Sequence, residues 1–208
     1  MKTINADTPI YQKKSFIITM VISALVLILG IGFIAGSNGL NRAQQDVDES
    51  TGSVQTALQN RADLIPNLVN AIKGTQGQES AVYGKIADAR TQYNQAKSAY
   101  NSADSQDQKT SAMQNQEKAL NVMVSAINEN YPNLKSGDQV TVLMAQIEGA
   151  DNRVTYQREK YNKAVRAYNN KVVSFPSSIV ASLTNHQKLH YFSADESAQS
   201  NPTVNFNN

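Results

Sequence analysis

Hydrophobic positions along this chain follow two different rules. From Phe16 to Gly36 (FIITMVISALVLILGIGFIAG) apolar and small residues predominate, and no side chain in the run is charged. Wound as a helix, such a run is roughly 31 Å long, the thickness of a bilayer's hydrocarbon core. The core helix of a soluble protein would carry a polar stripe or stop sooner, and the apolar core of a cleavable signal peptide is shorter. A transmembrane helix over residues 16–36 is therefore expected, after a short N-terminal segment, 1–15. Ala35-Gly36-Ser37 supplies small residues that a signal peptidase could use, so cleavage is the competing reading. Lipoprotein processing is excluded because no cysteine follows the run.

Beyond Gly36 the apolar positions recur at steps of three, four or seven, the spacing that lines one face of a helix. Leu40, Val47, Val54, Leu58, Ile65, Leu68 and Ile72 predict a first helix from Gly39 to Lys73, continuous with the span, with a bend at Pro66 where a backbone donor is missing. Gly74 and Gly77 punctuate the connection that follows. Val82, Ile86, Ala89, Tyr93, Ala96 and Tyr100 predict a second helix, closed by the turn-forming residues Asn101 to Ser105. A third helix is expected from Gln106 to Asn130, with Ala112, Ala119, Leu120, Met123 and Ile127 on its apolar face. The fourth and longest is expected from Val140 to Phe175 on Leu143, Ile147, Ala150, Val154, Tyr161, Ala164, Tyr168 and Val172, with Gln157 breaking the seam. Pro176 ends it, and Ser177 to Thr184 has room for a further helical turn or two. Residues 195–208 are mostly Ser, Asn, Gln and Pro with little to bury, and read as a disordered tail. Helices with one apolar stripe each must pack those stripes together. The expected fold is all-α, an N-terminal transmembrane helix followed by an antiparallel up-and-down four-helix bundle over residues 37–194.

Charge and composition narrow the functions. Lys+Arg 19 against Asp+Glu 17 gives a formal net charge of +2, and no basic cluster argues for nucleic acid. With Cys 0 there is no thiol for catalysis, redox work or metal binding. Lys2, Lys13 and Lys14 precede the span while Arg42 is the one basic residue soon after it, so the N-terminus is expected on the cytoplasmic side and the bundle outside. The Gly32-x-x-x-Gly36 spacing would allow two spans to approach closely.

Three stretches carry a family resemblance: Arg61-Ala62-Asp63-Leu64-Ile65-Pro66-Asn67-Leu68-Val69, then Glu129-Asn130-Tyr131-Pro132-Asn133-Leu134-Lys135-Ser136, then Ile147-Glu148-Gly149-Ala150-Asp151-Asn152-Arg153-Val154. The last continues through Arg158, Tyr161-Asn162, Ala164-Val165, Tyr168-Asn169 and Phe175-Pro176-Ser177, and Tyr191-Phe192 follows as a closing aromatic pair. Together, over roughly residues 38 to 194, they resemble the LemA family of bacterial membrane-anchored proteins. The resemblance implies one N-terminal span, an antiparallel helical bundle and no established enzymatic activity; related proteins occur in magnetosome membranes, and family genes often neighbour a membrane zinc protease. The chain departs from the family's pattern at Gln45 to Gln55, where Asp46, Asp48, Glu49 and Gly52 imply weaker packing just above the membrane.

Among these motif residues, Arg61, Asp63, Glu148, Asp151 and Arg153 admit two readings. They are either a polar site with carboxylates as ligands or as acid and base, or a structural network that pairs charges across helices and fixes their register. The structural reading is preferred, because no histidine or nucleophile accompanies them. Asn67, Asn130, Asn133 and Asn152 are likewise read as caps or bridging amides. His186 and His190 have the spacing of a zinc-binding pair, but Gln187 stands where a zinc protease needs Glu and no third ligand is evident. No catalytic residue, metal or cofactor is expected. The chain is read as a non-enzymatic single-pass protein of the bacterial cell membrane, an envelope interaction or scaffolding module with a protein partner. Self-association into a membrane-shaping array is one alternative to that reading, and a metal-dependent or carboxylate-based enzyme is the other.

Overall fold

A computed structural model describes residues 14–73, 80–130 and 138–193. The described residues are all-helical apart from short connections and an extended C-terminal stretch, with no β-strand among them. The described residues form five helices: α1 (Lys14–Lys73), α2 (Ser80–Asn101), α3 (Gln106–Asn130), α4 (Asp138–Val173) and α5 (Ser177–Leu183). The connection expected at Gly74 and Gly77, the exit at Tyr131 to Asp138 up to residue 137, and the tail 195–208 lie outside the described residues.

By contact the chain divides into two units. One comprises the described part of Met1–Arg42 with Asn170–Gln187, the other Ala43–Asn169 with the described part of Lys188–Asn208. In the first, the apolar run is bare on every side: Leu27, Ile28, Leu29 and Ile31 each keep roughly two thirds of their surface exposed. A surface this apolar cannot be left in water without a large cost, since burial in an apolar phase is worth about 25 cal/mol per Å². Where the run ends, Leu40 packs with Val180 and Ala181 of α5 and with Val172 of α4. The approach is close, because a methyl placed on Gly36 would meet Val180 Cγ2 at 2.9 Å. α4 stops at Val173, short of the expected Phe175, because the residue before a proline is driven out of the α region. Ser177 Oγ donates to the carbonyls of Lys171 (2.6 Å) and Ser174 (2.9 Å), satisfying the α4 terminus as α5 begins. α5 closes with Asn185 in the left-handed region at φ 57° and with His186 N–H donating to Ala181 O at 2.9 Å, a Schellman-type stop.

The second unit is built on continuous seams. On α1, Val47, Thr51, Val54, Leu58, Arg61, Ile65, Leu68 and Ile72 are all buried and alternate steps of four and three. Thr51 and Arg61 fill the two places where the apolar reading had gaps. α1 passes through Pro66 as one helix, with the proline on an exposed face. α2 and α3 pack against each other. Their turn is fastened by Asp104 N–H donating to Gln108 Oε1 (2.8 Å) and Gln108 N–H to Ser105 Oγ (3.3 Å), a variant of the capping box. On α4 the buried heptad is Val140, Ile147, Val154, Tyr161 and Tyr168, flanked by Val165 and Asn169. Leu143, Ala150, Ala164 and Val172, expected on the stripe, are only half-buried. The stripe is narrower than expected there because polar side chains flank it.

Leu58 is completely buried in the α1 seam. Leu58→Ala should therefore lower the unfolding free energy of the full chain in detergent by about 3 kcal/mol, the usual cost of a leucine-sized core cavity, as read by denaturant titration of helical circular dichroism.

Candidate functional site

The polar residues of the second unit lie in layers between helices. In the first layer Gln106 donates from Nε2 to Thr51 Oγ1, and the Thr110 and Tyr161 hydroxyls share a hydrogen bond of 2.7 Å. In the second, Gln55 and Gln116 form a reciprocal amide pair, 3.1 Å each way. In the third, the Arg61 guanidinium, 4% exposed, donates to Asp151 Oδ1 at 2.9 Å and to Asn121 Oδ1 at 2.8 Å. Arg158 donates to Glu117 Oε1 at 2.7 Å beside it. Most of these groups thus exchange water for a partner of matching polarity, while Arg61 Nε is buried without a hydrogen-bond partner.

Burial sets the electrostatics of this third layer. Desolvation lowers the Arg61 pKa, against the raising fields of Asp151 and then Glu117. Desolvation likewise raises the Glu117 carboxyl above its ordinary 4.5, outweighing the opposing charges and hydrogen bond of Arg158 and the charge of Arg61. For Arg61 and Glu117, which belong to two neighbouring ion pairs, burial therefore prevails over attraction. Because half of the Asp151 side chain is in water, its pair with Arg61 is worth on the order of 1 kcal/mol.

The residues singled out from the sequence are distributed unevenly. Arg61 and Asp151 meet. Asp63, two residues from Arg61 and so on another face of α1, accepts from Gln59 Nε2 at 2.7 Å. It lines a hollow of about 170 Å³ together with Pro66, Arg90, Tyr93 and Lys97. Lys97 Nζ donates to Gln59 Oε1 at 2.6 Å there, and Tyr93 is pushed up to about 12 by burial and then by the Asp63 charge. Asn67, Glu148, Asn152 and Arg153 are exposed. Tyr131 and Pro132 lie outside the described residues. Phe175 and Pro176 are exposed at the junction of α4 and α5. The set Arg61, Asp63, Glu148 and Asp151 is therefore not gathered at one place. Among the described residues no group of three His, Asp or Glu side chains is placed to hold one ion. His186 and His190 lie beyond the last helix, so their spacing defines no helical face, and His190 Nδ1 instead pairs with Asp107 Oδ2 at 2.7 Å.

The most elaborate construction is a strap, residues 188–193, held along α4. Asn169 grips Leu189 by both its main-chain groups: Nδ2 donates to Leu189 O at 2.9 Å and Oδ1 accepts from Leu189 N–H at 2.8 Å. Asn162 does the same to Phe192, at 3.0 and 2.8 Å. Two turns of helix advance about 10.5 Å, and three residues of extended chain about 10 Å, so the two clamps are in register. Between them the Tyr161 hydroxyl donates to His190 O at 3.1 Å, and His190 N–H donates to Asp107 Oδ1 at 2.9 Å. Arg158 Nη2 donates to Ser193 O at 3.2 Å. Phe192, 4% exposed, lies edge-on to Tyr161 and beneath the Arg158 guanidinium, whose carbon is 4.8 Å from the ring centre. Sequence reasoning marked Asn162, Asn169 and Phe192 without this role and missed Glu117, Gln116 and Gln106. Asparagines repeating at a heptad spacing beside a buried tyrosine were the available signal.

A membrane-type apolar helix joined in one chain to helices with interlocking polar layers defines a class, the membrane-associated helical protein. The LemA family model matches residues 50–206, and the chain belongs to the LemA family. It is also similar to the magnetosome proteins MamQ 2 and MamQ 1 of Paramagnetospirillum magneticum (strain ATCC 700264 / AMB-1), 30% identical over 67 residues, which are 32% of this chain and 25% of each relative. MamQ of Magnetospirillum gryphiswaldense (strain DSM 6361 / JCM 21280 / NBRC 15271 / MSR-1) is 28% identical over the same shares. The chain thus spans about a quarter of the length of the curated relatives it matches.

Two outcomes follow. A group whose folded-state pKa is raised favours the protonated native state, and its contribution is lost as pH rises through that value. The stability of the natural chain relative to Glu117→Gln, measured by urea unfolding, should therefore fall as pH rises from 4.5 toward neutrality. Separately, Asn169→Ala should leave helix content unchanged while the Leu189 and Phe192 amides exchange hydrogen at least tenfold faster, as the strap loses a clamp worth roughly 1.5 kcal/mol.

Proposed function

We propose that this chain is a single-pass protein of the bacterial envelope whose N-terminus is cytoplasmic and whose outer part is a non-catalytic interaction or scaffolding module. The observation that carries this reading is the bare apolar head of α1, which requires lipid, in the same helix as a seam that requires protein. The flanking bias of Lys2, Lys13 and Lys14 against Arg42 supports the orientation. The outer module is an antiparallel up-and-down bundle. Along α1 and α2 the pairs run Asp48–Tyr100, Gln59–Lys97, Asp63–Tyr93, one rising as the other falls. Along α1 and α3 they run Thr51–Gln106, Gln55–Gln116, Arg61–Asn121, both rising. Along α3 and α4 they run Thr110–Tyr161, Glu117–Arg158, again opposed. Engagement of Arg61, Asp151, Glu117 and Arg158 with one another supports a register-setting role over acid–base work. The magnetosome relatives support a setting at a membrane-associated assembly.

The natural chain has no cysteine, so Tyr156→Cys, on an exposed site of α4, provides a single handle. A membrane-impermeant maleimide should label it in intact cells, whereas Thr3→Cys should react only after permeabilisation. A photoreactive maleimide on the same cysteine should yield a discrete adduct with another protein in native membranes. Labelling in the reverse order would refute the orientation, and a ladder of self-adducts would replace the scaffold reading with a membrane-shaping array.

A further inference from the structure

The segment from Val173 to Leu183 has an outward apolar face that no other described residue covers. Val173 is 52% exposed, Phe175 81%, Ile179 55% and Leu183 71%. Ile179 and Leu183 are one helical turn apart and so share a side of α5. The other side, Val180 and Ala181, is packed on Leu40. Its Val180 reaches the last turn of the apolar run, at Gly36, so closely that an added methyl would collide. α5 is thereby held at the level where the charge-free run ends, and Lys171 Nζ lies 3.6 Å from where a Gly39 side chain would begin.

We infer that Phe175, Ile179 and Leu183 form a wedge that enters the membrane surface at the exit of the span. The inference rests on the membrane reading of α1 and adds a second lipid contact to it. Location dictates the occupant: if residues 16–36 sit in hydrocarbon, a helix seated flush against Gly36 lies at the boundary between acyl chains and headgroups. Side chains pointing away from α1 there meet lipid, and an aromatic and two branched aliphatic groups are the chemistry that partitions into that boundary. Lys171, one turn earlier and beside the first residues beyond the span, is placed to reach anionic headgroups. The two contacts fix the azimuth of α1 in the bilayer, because a span alone can rotate about its axis and a span with a lateral wedge cannot.

The chain contains no tryptophan, so single substitutions give unambiguous fluorescence. Full-length Leu27→Trp, Phe175→Trp, Leu183→Trp and Tyr156→Trp are reconstituted into phosphatidylcholine–phosphatidylglycerol vesicles, with and without lipids brominated near the headgroup end of the acyl chains, and for Leu27→Trp also with lipids brominated near the chain ends. Phe175→Trp and Leu183→Trp should lose half or more of their emission to the brominated lipids and resist aqueous iodide, whereas Tyr156→Trp should be quenched by iodide alone. Iodide quenching without bromolipid quenching at positions 175 and 183, while Leu27→Trp reports lipid, overturns the wedge and leaves the span standing. Shielding of those positions from both quenchers also overturns it, in favour of a protein cover. Absence of lipid quenching at Leu27→Trp overturns the membrane reading and the wedge together.

Discussion

One helix made for two solvents is the constraint on which the rest of this structure depends. α1 is apolar around its whole circumference up to Gly36 and apolar along a single seam from Leu40 onward. Apart from its ends and the donor missing at Pro66, its backbone groups are satisfied within the helix, a geometry that suits hydrocarbon and a packed interior alike. Only the side chains change, and on the proposed reading they mark where lipid ends and protein begins.

Within the second unit, apolar seams alone would leave the alignment of the helices loosely specified, because leucine, valine and isoleucine layers tolerate a shift by one repeat. On the proposed reading the polar layers remove that freedom. A Gln55–Gln116 amide pair or an Arg61–Asp151 contact exists at one register and leaves buried polar groups without partners at any other. The strap extends the same logic beyond the helices. Asn162 and Asn169 bind main-chain atoms, so they select an extended conformation at residues 189 and 192 and leave the choice of side chain to the Phe192 pocket.

Much of this was legible in the residues. The steps of three and four located the α1 seam, the third helix and most of the second, and the run of charge-free residues located the bare segment. What escaped notice has a common physical cause: a polar side chain in a seam looks like an interruption when it is in fact a member. Arg61 and Thr51 occupy seam positions on α1, and Gln116 and Glu117 do so on α3, where only apolar residues had been counted. The strap was invisible to periodicity because its chain is extended and its main-chain atoms are held by side chains far away in sequence. The end of α4 at Val173 and the exposure of Phe175 were similarly hidden, since an aromatic residue before proline reads as the last member of a stripe.

The central claim is that residues 16–36 are a retained anchor in lipid, and intact mass measurement of the chain recovered from alkali-washed membranes tests it most directly. Retention predicts a species at the full 22.7 kDa that remains with the membrane pellet. A soluble species shortened by the residues up to Gly36 would contradict it.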